Sequence, residues 1–262
     1  MSIQNGRVVL VIGAGSERGI AFACARTLAE QGARVAIADL NAKGLPELAG
    51  KLAGGAVHST HAMDVTDPAS VEKALDELIA HHGQIDGAII ASGVLYNQPF
   101  LDITLDGWDK TFAVNCRGVF IAAQAIARRM HAQGKGGRMV AVASNAGFTP
   151  RLSTASYGAA KAAVIQLVRC MALELAKFQI TVNALCPGST ATSMAIDVQA
   201  GGDMSRLAGV IHGSLEQWRT GIPLGHLADP SDQAAMAAFL MSDGARHITG
   251  QVMTVDGGQT FY

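Results

Sequence analysis

Short apolar runs rich in Val and Ile punctuate the 262-residue chain. Six are strong: residues 7–13 (RVVLVIG), 34–40 (RVAIADL), 86–92 (DGAIIAS), 138–144 (RMVAVAS), 180–186 (ITVNALC) and 251–257 (QVMTVDG). A weaker one covers 57–63. Near-continuous hydrophobicity, rather than alternation, predicts strands buried on both faces of a parallel sheet. Between these runs lie segments of helical period, clearest at 21–31, 68–82, 105–132 and 156–178. Strand–helix alternation of this kind predicts an α/β fold, a doubly wound parallel sheet of about seven strands with helices on both faces. Neither a Pro- or Ser-rich linker nor a repeat divides the chain, so one domain over 1–262 is expected. Only 189–221 breaks the alternation. It is polar, Gly-containing and weakly helical, and it follows a strand end; it reads as an active-site lid or as an ordinary surface excursion.

Charge narrows the function. With 16% charged residues and a formal net charge of −1, the chain lacks the electrostatic footprint of a nucleic-acid or membrane-surface binder. Cys24, Cys116, Cys170 and Cys186 are far apart and form no CxxC pair, which points to reduced thiols rather than a disulfide framework or zinc site. The eight histidines form no HExxH or His/Asp cluster, so no metal is expected. His81 and His82 end a helical pattern, where a cation suits the dipole. The N-terminus lacks a basic flank with a cleavage site, and the apolar runs are too short to span a bilayer. A cytoplasmic location is expected.

The first strand runs into VIGAGSERGIA. Gly13 closes the strand, Gly15 lies in the loop and Gly19 precedes the helix, an arrangement that lets backbone approach a pyrophosphate at a helix N-terminus, as in a Rossmann-type dinucleotide site. A plain strand–helix turn has the same composition. Asp39 ends the second strand about twenty residues on, where a carboxylate accepts from both ribose hydroxyls and repels a 2′-phosphate. The alternative is a turn carboxylate. Arg18 is the counter-signal, a loop cation able to meet a phosphate. On balance NAD is preferred over NADP.

Within SYGAAK, Tyr157 and Lys161 are four residues apart and share a helix face. A phenol is a poor base at neutral pH, and a neighbouring ammonium lowers its pKa, so the spacing makes a usable proton acceptor for an alcohol. Further matches follow. Ser144 lies thirteen residues before Tyr157, Asn115 sits in FAVNCRGVF, Asp64 in MDVTD, and Pro187, Gly188 and Thr192 in CPGSTAT, with ITGQVMTVDGG near the end. Over essentially its full length the chain resembles the short-chain dehydrogenase/reductase family. The resemblance implies a catalytic tetrad of Asn115, Ser144, Tyr157 and Lys161. It also implies cofactor contacts at Gly13, Gly15, Arg18, Gly19, Ile20, Asp39, Asp64, Val65, Gly93, Tyr157, Lys161, Pro187, Gly188, Thr190 and Thr192. Tyr157 is the implied acid/base, Ser144 steadies the reacting oxygen, Lys161 lowers the phenol's pKa and binds the nicotinamide ribose, and Asn115 holds a relay water.

Two features depart from that pattern. The glycine loop is two residues longer than T-G-x-x-x-G-x-G, with Ala21 in place of the last glycine, and the usual N-N-A-G reads Ile90-Ala91-Ser92-Gly93. The flank of the site, including VASNAGFTPRLSTASYGAAKAA and GIPLGHLADP, is most similar to the siderophore-pathway 2,3-dihydro-2,3-dihydroxybenzoate dehydrogenases, which oxidise a cyclic diol carboxylate with NAD. Arg151 falls between Ser144 and Tyr157, as a guanidinium for a substrate carboxylate or as a subunit or loop contact. The implied partner is therefore a small alcohol or ketone, with no nucleic acid and no membrane. Family likeness and the apolar character of 105–132 and 156–178 on more than one side imply a homotetramer. The alternatives are an NADPH-dependent 3-oxoacyl reductase, which Asp39 opposes, and a non-catalytic dinucleotide-binding regulator, which the complete tetrad opposes.

Overall fold

The computed structural model describes residues 4, 6–54, 57–194 and 207–261. Seven strands, β1 (Val8–Ile12), β2 (Arg34–Asp39), β3 (Ser59–Ala62), β4 (Gly87–Ile90), β5 (Gly137–Val142), β6 (Ile180–Pro187) and β7 (Val252–Val255), form one sheet in the order β3-β2-β1-β4-β5-β6-β7. Every pairing is parallel. The winding reverses between β1 and β4, and the crevice beyond the carboxyl ends of those two strands is where such sheets bind ligands.

The near-continuous apolar strands have a simple cause: both faces are covered. Along β1, Val8, Leu10 and Ile12 join a core with Leu75, Ile126 and Val164, while Val9 and Val11 join the opposite core with Leu28, Leu45 and Ala237. The first core is roofed by α3 (Pro68–His82), α5 (Val119–Gln133) and α6 (Ala155–Leu175). The second is roofed by α1 (Ile20–Glu30), the short α2 (Leu45–Gly50) and α8 (Pro230–Met241). Alternate side chains of a strand point to opposite faces, so one strand serves both layers.

Local signals set the helix ends. The Asp67 side chain accepts from Ala69 N at the start of α3, and Gly83, at φ 82°, stops it. The segment expected as one helix over 105–132 is interrupted: α4 (Leu105–Phe112) passes through a π turn (Ala113–Gly118) into α5. A Cβ on Gly118 would lie 2.7 Å from Val65, so the turn seats against the β3–α3 connection only with glycine there. The helix α8 is absent from the sequence expectation. It is apolar nearly all round and packs against α1, which leaves no stripe to read. Its start signal is nonetheless present: Asp229 and Asp232 form a reciprocal capping box around Pro230.

Of the expected lid, 195–206 lie outside the described residues. The remainder holds α7 (Leu207–His212) and a tight turn closed by an antiparallel Ser214–Arg219 bridge. All four cysteines are unpaired. Among the described residues no helix is long and apolar enough to cross a membrane, and no cluster of His, Cys, Asp and Glu is arranged to hold a metal. His82 does not act as a dipole-matched cation. It is buried with its Nε2 2.8 Å from Ser59 Oγ, and burial, then the charges of His81 and Arg34, push its pKa down to about 4.

Candidate active site

The carboxyl ends of β1, β4, β5 and β6 open into a cleft of about 860 Å³. Gly13, at φ +88°, lets the end of β1 pass close to the β4 terminus; a Cβ there would lie 2.8 Å from Ser92 N. Gly19 caps α1 without a side chain, leaving the first N–H groups of that helix open to the cleft. The two residues by which the loop exceeds the family pattern are absorbed in a β-turn, with Gly19 N donating to Ser16 O at 2.9 Å. The turn carries Glu17 outward to Lys51, 2.8 Å away, and leaves Arg18 exposed. Arg18 is thus the cofactor position that the cleft lining does not include. The other expected cofactor positions, from Gly13 to Thr192, all line it.

Asp39 sits at one end of the cleft. Its Oδ2 accepts from Gly15 N and its Oδ1 from Asn41 N, each at 2.9 Å, so backbone fixes both oxygens. Asp64 is fixed in the same manner by Thr66, whose N and Oγ1 donate to Oδ1 at 2.8 and 2.7 Å. At the opposite end β6 delivers Pro187 and Gly188. Gly188 packs on Asp256 where a Cβ would overlap it. Thr190 Oγ1 donates to Gly188 O at 3.2 Å, and Thr192 N to Thr190 O at 2.8 Å.

Between these ends stand the chemical residues. Ser144 follows β5, and its Oγ accepts from Ala146 N at 3.1 Å. Tyr157 and Lys161 project from α6. Lys161 Nζ lies 5.6 Å from the Tyr157 ring centroid and donates to Val142 O at 2.9 Å. Burial pushes the ammonium's pKa down to about 8. Burial also raises the phenol above its ordinary value; a hydrogen bond with Ser144 and the charge of Arg151 work against it. Arg151 is thus a second cation acting on the phenol, beside the Lys161 ammonium that sequence reasoning expected there.

Asn115 is fully buried in the π turn. Its Nδ2 donates to Val94 O at 2.9 Å and Thr111 O at 3.0 Å, and its Oδ1 accepts from Val94 N at 3.1 Å. With both N–H groups taken and no cleft surface, the side chain pins the loop after β4. Gly93 belongs to the same contact, since its Cβ would lie 2.9 Å from Asn115 Oδ1.

Arg151 lines the cleft, its Nη2 donating to Asn145 Oδ1 at 2.6 Å and Gln259 Oε1 at 3.1 Å. Sequence reasoning passed over Arg219, which lines the same cleft. A lone arginine in a polar segment carries no signal until folding sets it beside another.

The cleft's architecture has counterparts among known proteins. A 2,3-dihydro-2,3-dihydroxybenzoate dehydrogenase of Bacillus subtilis (strain 168) is 38% identical over 257 residues, covering 98% of this chain and 97% of that protein. A D-threitol dehydrogenase of Mycolicibacterium smegmatis is 36% identical over 260 residues, covering 98% and 94%. The crystal structure of a short-chain type dehydrogenase/reductase from Mycobacterium marinum superimposes with a TM-score of 0.88 at 31% identity, covering 100% of this chain and 98% of that one. A family profile described as enoyl-(acyl carrier protein) reductase matches residues 13–260. Sheet order, glycine turn and the Ser144–Tyr157–Lys161 grouping agree with these likenesses along the whole chain, which belongs to the short-chain dehydrogenase/reductase family of oxidoreductases.

Proposed function

We propose that this enzyme oxidises a secondary alcohol of a cyclic diol with NAD. The observation that carries the reading is the half-buried Tyr157 phenol, which lines a cleft together with Ser144 and Lys161, the far end of that cleft being closed by the Asp39 carboxylate. The cleft suits a dinucleotide: Gly13, Gly15 and Gly19 leave backbone bare along the path to the α1 N-terminus. When bound, the nicotinamide accepts a hydride from the carbinol carbon. Tyr157 takes the hydroxyl proton, and Ser144 donates a hydrogen bond to the reacting oxygen as charge develops on it. Lys161, anchored on Val142 O, has further N–H groups that would hold the nicotinamide ribose. Asn115 is a positioning residue that holds Gly93 and Val94 at the floor. In the reverse direction Tyr157 is the acid.

Asp39 selects the cofactor. Its oxygens, already oriented by Gly15 and Asn41, have lone pairs left for the ribose hydroxyls, whereas a 2′-phosphate would meet a fixed like charge. The diol reading is supported by relatives named for the oxidation of 2,3-dihydro-2,3-dihydroxybenzoate and D-threitol. A panel of cyclic diols, polyols and hydroxy acids, followed by NADH or NADPH appearance, tests it. A homotetramer is part of the proposal: Phe100, Leu101 and Leu105 around the start of α4, Phe120 on α5 and Leu173 on α6 are large apolar side chains left exposed on the helical layer. So is a cytoplasmic location, supported by four unpaired thiols.

A further inference from the structure

Two guanidinium groups stand at the Tyr157 end of the cleft without a counter-ion. Among the described residues the arginine ion pairs are those of Arg7, Arg26, Arg129 and Arg138; neither Arg151 nor Arg219 joins one. Arg151 is held by neutral amide oxygens, Asn145 Oδ1 and Gln259 Oε1, and all of that holding is through Nη2. The negative charges that favour its cationic form are Tyr157, when ionised, and then Asp256, whose Oδ2 is engaged by Asn145 and Thr260. Arg219 is aimed by its backbone. The Ser214–Arg219 bridge closes with N–H···O bonds of 2.9 Å in both directions, and Trp218, at φ 50°, turns the chain just before it. Its Nη2 donates to Ser189 Oγ at 3.1 Å, and its Nε is buried with no partner. Both arginines line the main cleft and the smaller cavity beside it.

Such an arrangement is costly as it stands. Burial disfavours each cation, and the charge of Arg151 adds to the pressure on Arg219, whose pKa falls to about 10. A buried donor without a partner adds its own desolvation cost. One ligand group answers both charges: a carboxylate accepts from the free N–H groups of both forks and neutralises the pair. A neutral polyol leaves the charges as they are.

We infer that Arg151 and Arg219 form an anion-selective pair that seats a substrate carboxylate beside Tyr157, making the substrate a carboxylated cyclic diol rather than a neutral one. The inference rests on the alcohol-oxidation reading above for its chemistry, but its binding side is separable. Arg219 is the specificity residue: it touches neither the proton nor the reacting oxygen.

Two measurements test it. In turnover, kcat/KM is compared for 2,3-dihydro-2,3-dihydroxybenzoate and the uncharged cyclohexadiene diol, in wild type, Arg219→Gln and Arg219→Lys. Arg219→Gln should lose at least tenfold more on the carboxylate than on the neutral diol, chiefly through KM. Arg219→Lys should recover part of that loss, because it restores charge but not the planar fork. In binding, calorimetry with 2,3-dihydroxybenzoate and with catechol needs no turnover. Wild type should prefer the carboxylate at least tenfold, with the preference collapsing in Arg219→Gln. Equal losses on both diols, or no binding preference in wild type, overturns the pair. Should wild type bind the carboxylate selectively yet oxidise neither diol, the oxidation reading fails and the anion site stands.

Discussion

Gly15 N donates to Asp39 Oδ2 at 2.9 Å, and a Cβ on Gly15 would lie 2.6 Å from the Asp39 carboxylate carbon. The two residues come from the ends of adjacent parallel strands, β1 and β2, and each explains the other. Glycine at 15 is required less for turning the chain than for making room for the carboxylate. The carboxylate in turn is oriented by the glycine's own N–H. The proposed cofactor selection by Asp39 and the composition of the loop are therefore tied to one contact.

Replacing Gly15 with Ala should displace the Asp39 carboxylate by steric contact while leaving its charge. KM for NAD should rise about tenfold or more, with little gain for NADP, because the repelling charge stays nearby. Steady-state kinetics with both cofactors checks this; an unchanged KM for NAD would show that the loop relaxes freely.

Asp39→Ser removes the charge itself. Ribose hydroxyls lose an acceptor and a 2′-phosphate loses its repulsion, so the NAD-over-NADP ratio in kcat/KM should narrow by about 100-fold. Arg18 stays exposed on the outward turn, so a full reversal to NADP is not expected. A mutant that keeps the wild-type ratio would make Asp39 a turn residue only.

Tyr157→Phe deletes one hydroxyl and leaves the ring packing. Turnover should fall roughly 10³-fold, while NADH affinity, read by fluorescence titration, stays within a few-fold. A variant with most of its kcat would take Tyr157 out of the proton path.

The strands were legible because a sheet covered on both faces demands nearly unbroken apolar runs, and Val8 to Ile12 shows why: successive residues feed different cores. The helix α8 was hidden for the complementary reason. An Ala-rich helix that is apolar nearly all round, with Ala234, Ala237 and Ala238 buried and exposed Ala235 and Phe239 apolar as well, has too little of a polar face to mark its period. The π turn at Ala113–Gly118 changes hydrogen-bond register without changing composition, so it left no trace in the pattern, and the orientation of Asn115 went with it. Motif spacing located Ser144, Tyr157 and Lys161, but that Arg151 also acts on the phenol is decided by loop packing. Arg151 and Arg219 are 68 residues apart, and their proximity exists only once the Ser214–Arg219 turn folds against Ser189.

Lys161 shows the conflict between stability and chemistry. Its ammonium is buried, donates to Val142 O, and has its pKa pushed down by burial from the ordinary 10.5 to about 8. The unfolded chain therefore binds the extra proton more readily than the folded one between about pH 8 and 10.5. Stability from this group is present above that window, and it is lost as pH falls through the folded pKa. At pH 7 the buried charge carries its full cost. Lys161→Met, similar in length and apolar, should remove that cost. Without added dinucleotide it should be more stable than wild type at pH 7 by about 1–3 kcal/mol, even after Val142 O loses its donor. The gain should shrink as pH rises through the window, because wild-type Lys161 then folds uncharged in both states. Activity should fall to near background, since the ammonium over the Tyr157 ring is lost. Thermal melts of both proteins across pH 7–10, with NADH-appearance assays alongside, check the two halves together. A variant less stable than wild type at pH 7, or a stability difference that does not change with pH, would mean that the ammonium is well solvated where it sits.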